Sequence, residues 1–219
     1  KNKVWILFKY WKSLFYIVNH TQIVIKKSPI CYAHGRLLYT ALCNYIKDAN
    51  KNYINVWETG TAKGFSALCM AKALSDMQIF GKIMTFDVLP HNSKIYWNSI
   101  IDFEGKKTRK ELLRPWKELT EKYIIFHQGD TRLEMKKVVT DRINFAFLDG
   151  FHTYNDVYSE FRNIMDYQIE GDMIVFDDYT PNQYPGLVKA VNDICDEYKY
   201  KKTILQSSQN RGYVIAVKS

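Results

Sequence analysis

Acidic side chains follow two apolar runs in the second half of the sequence, and a histidine lies close to the first of them. The run Ile143–Asp149 ends on an acid, and His152 comes three residues later. The run Asp172–Asp178 ends on two adjacent acids, Asp177 and Asp178. Carboxylates bind hydroxyl groups and hard cations, and an imidazole moves protons near neutral pH. Taken singly, each residue also fits an ordinary strand end or helix cap, so the prediction depends on their combination.

Three more apolar runs end in the same way. Glu58 is the penultimate residue of Ile54–Thr59, Asp87 ends Lys82–Asp87, and the pair Gly129–Asp130 directly follows Tyr123–Gln128. Near-continuous Val, Ile and Phe marks strands that are buried on both faces, as in a parallel sheet, where ligands bind at the carboxyl ends of the strands. Acids gathered at one edge repel one another, so we expect a polyhydroxylated, cationic or metallic ligand among them.

The first run leads into a glycine-containing loop, Glu58–Ala67, with the sequence ETGTAKGFSA. Gly60 and Gly64 allow a tight turn and close approach of the backbone to a ligand. The G-x-x-x-G spacing, the acid directly before the loop and the lack of a third glycine at Phe65–Ser66 disfavour a dinucleotide pyrophosphate. The loop therefore favours a cationic ligand without phosphate, and a purely structural turn is the alternative.

Two of the acids suit a nucleoside. Asp87 stands where several nucleoside-binding α/β folds use an acid to accept hydrogen bonds from a ribose diol. The Gly129–Asp130 pair is placed to bond an adenine amino group. A helix cap and an ordinary turn are the respective alternatives.

The elements that position these residues alternate between strands and helices. Helices are predicted at Ser66–Ser75, Asn155–Tyr167 and Pro185–Tyr198 between the five apolar runs, which indicates an open α/β sheet with right-handed crossovers. The tail from residue 202 predicts a hairpin that adds one antiparallel strand. We expect one domain over residues 1–219, with a helical cap over 1–50, a core over 51–219 and an insertion over 90–122.

From about residue 30 onward the chain resembles the class I S-adenosylmethionine-dependent methyltransferases. ETGTAKG is similar to their first motif, with Ala62 in place of the middle glycine, and we expect alanine to take ordinary backbone angles there. The resemblance implies a Rossmann-like, seven-stranded, mostly parallel sheet with helices on both faces. It also implies a cofactor site in which Glu58 and the glycine loop hold the methionine end, Asp87 the ribose and Asp130 the adenine. The implied cofactor-binding residues are Glu58, Gly60, Thr61, Gly64, Ser66, Asp87, Gly129, Asp130 and Asp149.

Within that class, the D-G-x-H-x-Y segment from Asp149 and the later D-D-Y resemble metal-dependent sugar and macrolide O-methyltransferases, a group that includes cephalosporin hydroxylase-like proteins. This resemblance implies that Asp149, Asp177 and Asp178 bind a divalent metal and that His152 is the base. Carboxylate ligands suit Mg²⁺, with Mn²⁺ or Ca²⁺ as alternatives. The predicted activity is methyl transfer from S-adenosylmethionine to a hydroxyl of a small or glycosylated molecule. Three alternatives stay open: a metal-independent enzyme using His152 alone, a non-catalytic nucleoside-binding protein, and a dinucleotide-dependent oxidoreductase.

The remaining features bear on partners and location. The net charge of +8 is best explained by solvated helix faces, so no nucleic-acid partner is expected. Four widely spaced cysteines suit reduced thiols in a cytoplasmic protein, and no transmembrane segment is predicted. The aromatic N-terminal segment (Trp5, Phe8, Trp11, Phe15) favours a cover over the sheet or a homo-oligomer contact over membrane binding. His34 and Arg36 are candidates to approach substrate. The insertion, with Tyr96, Trp97, Arg109, Arg114 and Trp116, lies where a substrate lid would form, or else faces solvent.

Overall fold

One seven-stranded sheet organises the chain. The computed structural model describes residue 17, residues 31–207 and residues 211–219. The strands are β1 (Tyr53–Thr59), β2 (Phe80–Asp87), β3 (Ile124–Gln128), β4 (Phe145–Leu148), β5 (Met173–Phe176), β6 (Tyr200–Gln206) and β7 (Gly212–Lys218). Their order is β3-β2-β1-β4-β5-β7-β6. Neighbours among β1 to β5 run parallel, and β7 runs antiparallel to β5 and β6. The predicted sheet, with one antiparallel strand from a terminal hairpin, is confirmed.

Helices connect the strands. They are α1 (Tyr32–Ala49), α2 (Phe65–Asp76), α3 (Arg109–Leu112), α4 (Lys117–Tyr123), α5 (Thr131–Glu134), α6 (Tyr154–Arg162) and α7 (Pro185–Glu197). Short 3₁₀ helices lie at Ile100–Glu104, Arg114–Trp116, Met135–Lys137 and Met165–Tyr167. Among these described elements, no helix is long and apolar enough to cross a membrane.

Both faces of the sheet are covered, which explains why its strands lack a polar face. In β4, Phe145 and Phe147 pack on the side of α1 and α2, whereas Ala146 and Leu148 pack on the side of α6 and α7. All four side chains are buried. An unbroken apolar strand is what a sheet between two helical layers requires.

Two local predictions differ from the structure or lie outside it. A helix was expected over Asn155–Tyr167, but α6 ends at Arg162. There the amides of Asn163 and Ile164 bond to carbonyls three residues back, and such bonds close an α-helix. The N-terminal residues Trp5, Phe8, Trp11 and Phe15 lie outside the described residues, so the cover and the homo-oligomer contact stay predictions.

Candidate functional site

The carboxyl ends of the five parallel strands lie side by side, joined by backbone hydrogen bonds. These run from Gly129 N to Asp87 O (2.8 Å), Gly60 N to Phe86 O (3.0 Å), Asp149 N to Thr59 O (3.3 Å) and Asp177 N to Leu148 O (3.1 Å). The loops that carry the predicted acids therefore share one edge of the sheet, because each is tied directly to the end of a neighbouring strand.

The glycine loop passes so close to its neighbours that glycine is needed at its start. Gly60 has φ +83°, and a Cβ there would lie 2.0 Å from the carbonyl oxygen of Asp149. Gly64 has φ +89° and precedes α2. Ala62 also has a positive φ, +45°, so the expectation of ordinary backbone angles at this position is wrong. Asp87 accepts the amide hydrogen of Ala62, and that contact holds alanine in a conformation that costs about 1–2 kcal/mol.

Glu58 is a buried acid with one oxygen left free. The Thr85 hydroxyl donates to Oε2, while Oε1 is buried and has no hydrogen-bond partner in the described part of the chain. Burial raises the pKa of Glu58 to about 7, and the hydroxyls of Ser66 and Thr85 offset only part of that effect. A donor or cation beside Oε1 would satisfy an acceptor that the protein itself leaves unsatisfied.

The two acids predicted to bind ribose and adenine both have protein partners. Asp87 is buried, accepts the amides of Ala62 and Leu89, and lies 3.6 Å from the guanidinium of Arg109. Asp130 caps α5 by accepting from the amide of Arg132, whose guanidinium also binds it. A ribose or adenine group would therefore share these carboxylates with an arginine.

Both carboxylate oxygens of Asp177 accept hydrogen bonds. Oδ1 accepts from Arg211 Nε (2.7 Å) and from the amide of Asp178 (2.6 Å). Oδ2 accepts from Arg211 Nη2 and lies 3.0 Å from His34 Nδ1. Burial opposes ionisation of Asp177, but His34 and Arg211 outweigh burial and lower its pKa to about 2. A carboxylate has about four lone-pair directions, and hydrogen bonds from Arg211 and the amide of Asp178 use three of them, whereas the contact with His34 Nδ1 is close but is not a hydrogen bond.

Asp149, His152 and Asp178 form a neighbouring group with a different environment. One ligand atom from each lies within 4.8 Å of the others. His152 Nε2 is 2.9 Å from Asp178 Oδ2, and its ring stacks on Tyr184 with centroids 4.3 Å apart. Burial and the nearby charge of Asp177 raise the pKa of Asp149 well above its ordinary range. The pKa of Asp149, the first acid after β4, is thus raised, whereas the pKa of Asp177, the first acid after β5, is lowered. Many sites that combine acid and base roles have such a pair.

The sequence model of a family described as "Methyltransferase domain" matches residues 57–179. This match spans more than half of the chain, from the glycine loop to the D-D-Y segment. The chain belongs to this family. The predicted recognition of a class I S-adenosylmethionine-dependent methyltransferase is confirmed at the level of the family and the fold.

Solved structures with the same fold include several methyltransferases. An O-methyltransferase from Bacillus cereus in complex with SAH is 15% identical, with a TM-score of 0.64 over 95% of this chain and 90% of that one. TomG from Streptomyces achromogenes, an O-methyltransferase in complex with SAM, is 13% identical, with a TM-score of 0.64 over 95% and 90%. CalS11, described as a TDP-rhamnose 3'-O-methyltransferase, is 15% identical, with a TM-score of 0.59 over 96% and 94%. No curated protein sequence matches the chain.

The methyltransferase domain has two groups of side chains that could hold a metal ion, Asp149–His152–Asp178 and His34–Asp149–Asp177, and together they contain all three predicted ligands. Asp149 and Asp178 each have carboxylate oxygen available, and His152 adds an imidazole. Asp177 accepts three hydrogen bonds and contacts His34 Nδ1, so its oxygens are less available than those of Asp149 and Asp178. Arg211 lies 3.8 Å from Asp149 and 3.4 Å from Asp178, so its single positive charge is shared among three carboxylates. A divalent cation beside Asp149 and Asp178 would favour the ionised form of both carboxylates, so this pair, with His152 next to it, fits such an ion.

Sequence reasoning missed two residues of this site, Arg211 and Glu160, and did not foresee where a third, Arg109, lies. Arg211 directly precedes β7, far along the chain from the acids it binds. Glu160 is buried in α6, accepts from Thr59 Oγ1 and Thr131 Oγ1 at 2.9 Å each, and has its pKa raised to about 7 by burial. Arg109 was assigned to a lid but is fully buried. An acid on the apolar face of a predicted helix was the available signal for Glu160, whereas Arg211 had none.

Other predicted residues have mixed placements. His34 is buried and contacts Asp177, and Gly35 lets α1 approach α2, since a Cβ there would lie 2.5 Å from Phe65 Cζ. Arg36 is exposed. The insertion does more than face solvent, because Trp97 and Arg109 are buried in it. It also borders a cavity of about 630 Å³ whose rim carries Lys110, Arg114 and Lys117.

Proposed function

We propose that this protein is an S-adenosylmethionine-dependent O-methyltransferase that acts on a hydroxyl of a small or glycosylated molecule. The observation that carries the proposal is Glu58, a fully buried carboxylate directly before the glycine loop whose Oε1 has no hydrogen-bond partner among the described residues. The amino group of the methionine end is a cationic donor that would satisfy this oxygen. Asp87 and Asp130 would accept from the ribose hydroxyls and the adenine amino group. The SAM- and SAH-bound structures of the same fold support this choice of cofactor.

The base in this proposal is His152. Its Nε2 faces Asp178 and its ring plane is fixed against Tyr184. With the Nε2 hydrogen donated to Asp178, Nδ1 is the atom that accepts the proton of the acceptor hydroxyl. The oxygen then forms a bond to the methyl carbon as the carbon–sulfur bond breaks, and S-adenosylhomocysteine leaves. Holding the two reactants in line supplies much of the acceleration.

We further propose that Asp149 and Asp178 hold a divalent cation, with Mg²⁺ as the first choice. When bound, such an ion lowers the pKa of a hydroxyl. The predicted ligand Asp177 is assigned another role, because Arg211 and the amide of Asp178 already donate to its oxygens: it anchors Arg211 and the backbone of Asp178. A metal-free enzyme that relies on His152 alone is the competing mechanism. It predicts turnover that a chelator does not change.

A solved structure of the same fold bears on the acceptor class. Structures of the same fold include a TDP-rhamnose methyltransferase, and this supports sugar-containing hydroxyl acceptors as the first panel to test. A cytoplasmic location and the lack of a nucleic-acid partner stay predictions.

Calorimetry with S-adenosylhomocysteine and NAD⁺ tests the cofactor. Binding of S-adenosylhomocysteine, weakened in Glu58→Gln and retained in the exposed control Glu170→Gln, is the expected result. Binding of NAD⁺ alone would replace the proposal with an oxidoreductase. Transfer of a labelled methyl group to nucleotide sugars and phenols, with and without EDTA, then separates the metal-dependent mechanism from the metal-free one. S-adenosylhomocysteine binding with no transfer to any acceptor and no effect of His152→Ala would favour a nucleoside-binding protein.

A further inference from the structure

Arg109 is the only arginine whose whole residue is fully buried in the described part of the chain, and it lies beside the glycine loop. It is the first residue of α3 in the insertion, and its amide bonds to His91 O at 3.1 Å. Its guanidinium lies over the rings of Trp97 and Phe126, 5.4 and 5.8 Å from their centroids. The two rings hold the guanidinium in place, and its Nε–H points toward the glycine loop.

The donors of Arg109 reach the two segments that the cofactor would contact. Nε donates to the carbonyl oxygen of Ala62 at 2.9 Å. Nη2 donates to Leu89 O at 3.3 Å and lies 3.6 Å from Asp87 Oδ2. Asp87 in turn accepts the amide of Ala62. Ala62 is therefore held from both sides, by the acid at its amide and by the arginine at its carbonyl.

Ala62 needs such support because its backbone is in the left-handed region, with φ +45°. Glycine adopts that region freely, but alanine does not. The loop has alanine where the class I motif has its middle glycine, so the chain must stabilise the conformation by contacts.

We propose that Arg109 is a positioning residue that holds Ala62 and Asp87 in the arrangement that binds the cofactor. A glycine would adopt the positive φ freely. At this position hydrogen bonds from Arg109 hold an alanine in that conformation instead. The part of this inference that concerns cofactor binding rests on the proposed function. The contact between Arg109 and the glycine loop does not depend on that function.

The test uses Arg109→Met and Arg109→Lys in the full chain, with Arg142→Met as a matched control. Arg142 also pairs with a buried acid, Asp172, at 2.7 Å, but Asp172 precedes β5 at the opposite edge of the sheet from the loop. The Arg142→Met variant therefore reproduces the general effect of leaving a buried carboxylate without its partner. The lysine variant keeps the charge but loses the planar fork of donors.

The first measurement is hydrogen exchange over residues 60–64 in the free protein. Local opening of a loop raises exchange there without a change in the rest of the fold. We expect exchange to rise roughly tenfold in Arg109→Met, less in Arg109→Lys, and not at all in Arg142→Met. Wild-type exchange over 60–64 in a folded Arg109 variant would overturn the proposal. If the methionine variant does not fold, the lysine variant decides by the same criterion.

The second measurement is the affinity for S-adenosylhomocysteine. We expect it to fall roughly tenfold in Arg109→Met, and Ala62→Gly in that background to restore part of the loss. An Arg109→Met affinity equal to wild type, or a double variant weaker than Arg109→Met, would contradict a positioning role. If the wild-type protein does not bind S-adenosylhomocysteine, the proposed function fails, and the exchange measurement still decides whether Arg109 holds the loop.

Discussion

Cofactor affinity should depend on pH through Glu58. Burial raises the pKa of this carboxyl from 4.5 to about 7 in the free protein, a difference that corresponds to about 3 kcal/mol at 1.36 kcal/mol per unit. Below pH 7 the group is mostly protonated, and a cationic amino group prefers the ionised form. Binding must therefore release a proton, and affinity must rise as the pH rises toward 7.

The magnitude follows from this shift. If the bound cation returns the pKa of Glu58 to its ordinary value of 4.5, the dissociation constant for S-adenosylhomocysteine falls about fifteenfold between pH 5.5 and 7.0. At pH 6 about 0.9 proton is released per cofactor bound. Calorimetry in buffers with different ionisation enthalpies measures both quantities.

Variants connect the pH dependence to one residue. Glu58→Gln should bind weakly and lose the part of the pH dependence that comes from this carboxyl, and the exposed control Glu170→Gln should behave as wild type. A dissociation constant that is constant from pH 5.5 to 7.0, or a full pH dependence in Glu58→Gln, would refute the placement of the amino group beside this acid.

Further variants probe the rest of the site. His152→Ala should lower kcat about 10²- to 10⁴-fold while calorimetry shows unchanged affinity for S-adenosylhomocysteine, and a variant with wild-type kcat would exclude it as the base. Ala62→Gly in the wild-type background should raise the free energy of unfolding in urea by about 0.5–1 kcal/mol, because it relieves the positive φ; a loss of stability would show that the residue is not strained. Gly60→Ala should abolish S-adenosylhomocysteine binding, since its Cβ would lie 2.0 Å from a backbone oxygen, and calorimetric binding at wild-type strength would contradict that contact. Arg211→Met should lower the free energy of unfolding by about 3–5 kcal/mol at pH 7, because it leaves buried Asp177 without its guanidinium, and urea unfolding should show a smaller loss at pH 3, near the pKa of Asp177.

The fold could be predicted because its signals are local. Runs of Val, Ile and Phe mark buried strands wherever they occur, and the run Ile143–Asp149 needed no knowledge of its neighbours. The position of Asp149 beside Asp177 and Asp178 followed from a general property of parallel sheets, whose carboxyl ends meet at one edge.

The side-chain partners of the site could not be predicted, because they depend on contacts between distant parts of the chain. The sequence separates Arg211 from Asp177 by 34 positions and Arg109 from Ala62 by 47, and neither spacing has a periodic signal. The angle at Ala62 was predicted wrongly for the same reason: an alanine alone avoids positive φ, and only the contacts with Asp87 and Arg109 explain why this one adopts it.

The insertion of β7 between β5 and β6 has a consequence for biosynthesis. Arg211 directly precedes β7, which follows β6 in the sequence but lies between β5 and β6 in the sheet, and from there it binds Asp177. A nascent chain that has emerged only to residue 207 would have Asp177 without its guanidinium and β6 without a neighbour. The edge of the sheet that carries Asp149, Asp177 and Asp178 can therefore take its final form only after the segment that follows β6 has left the ribosome.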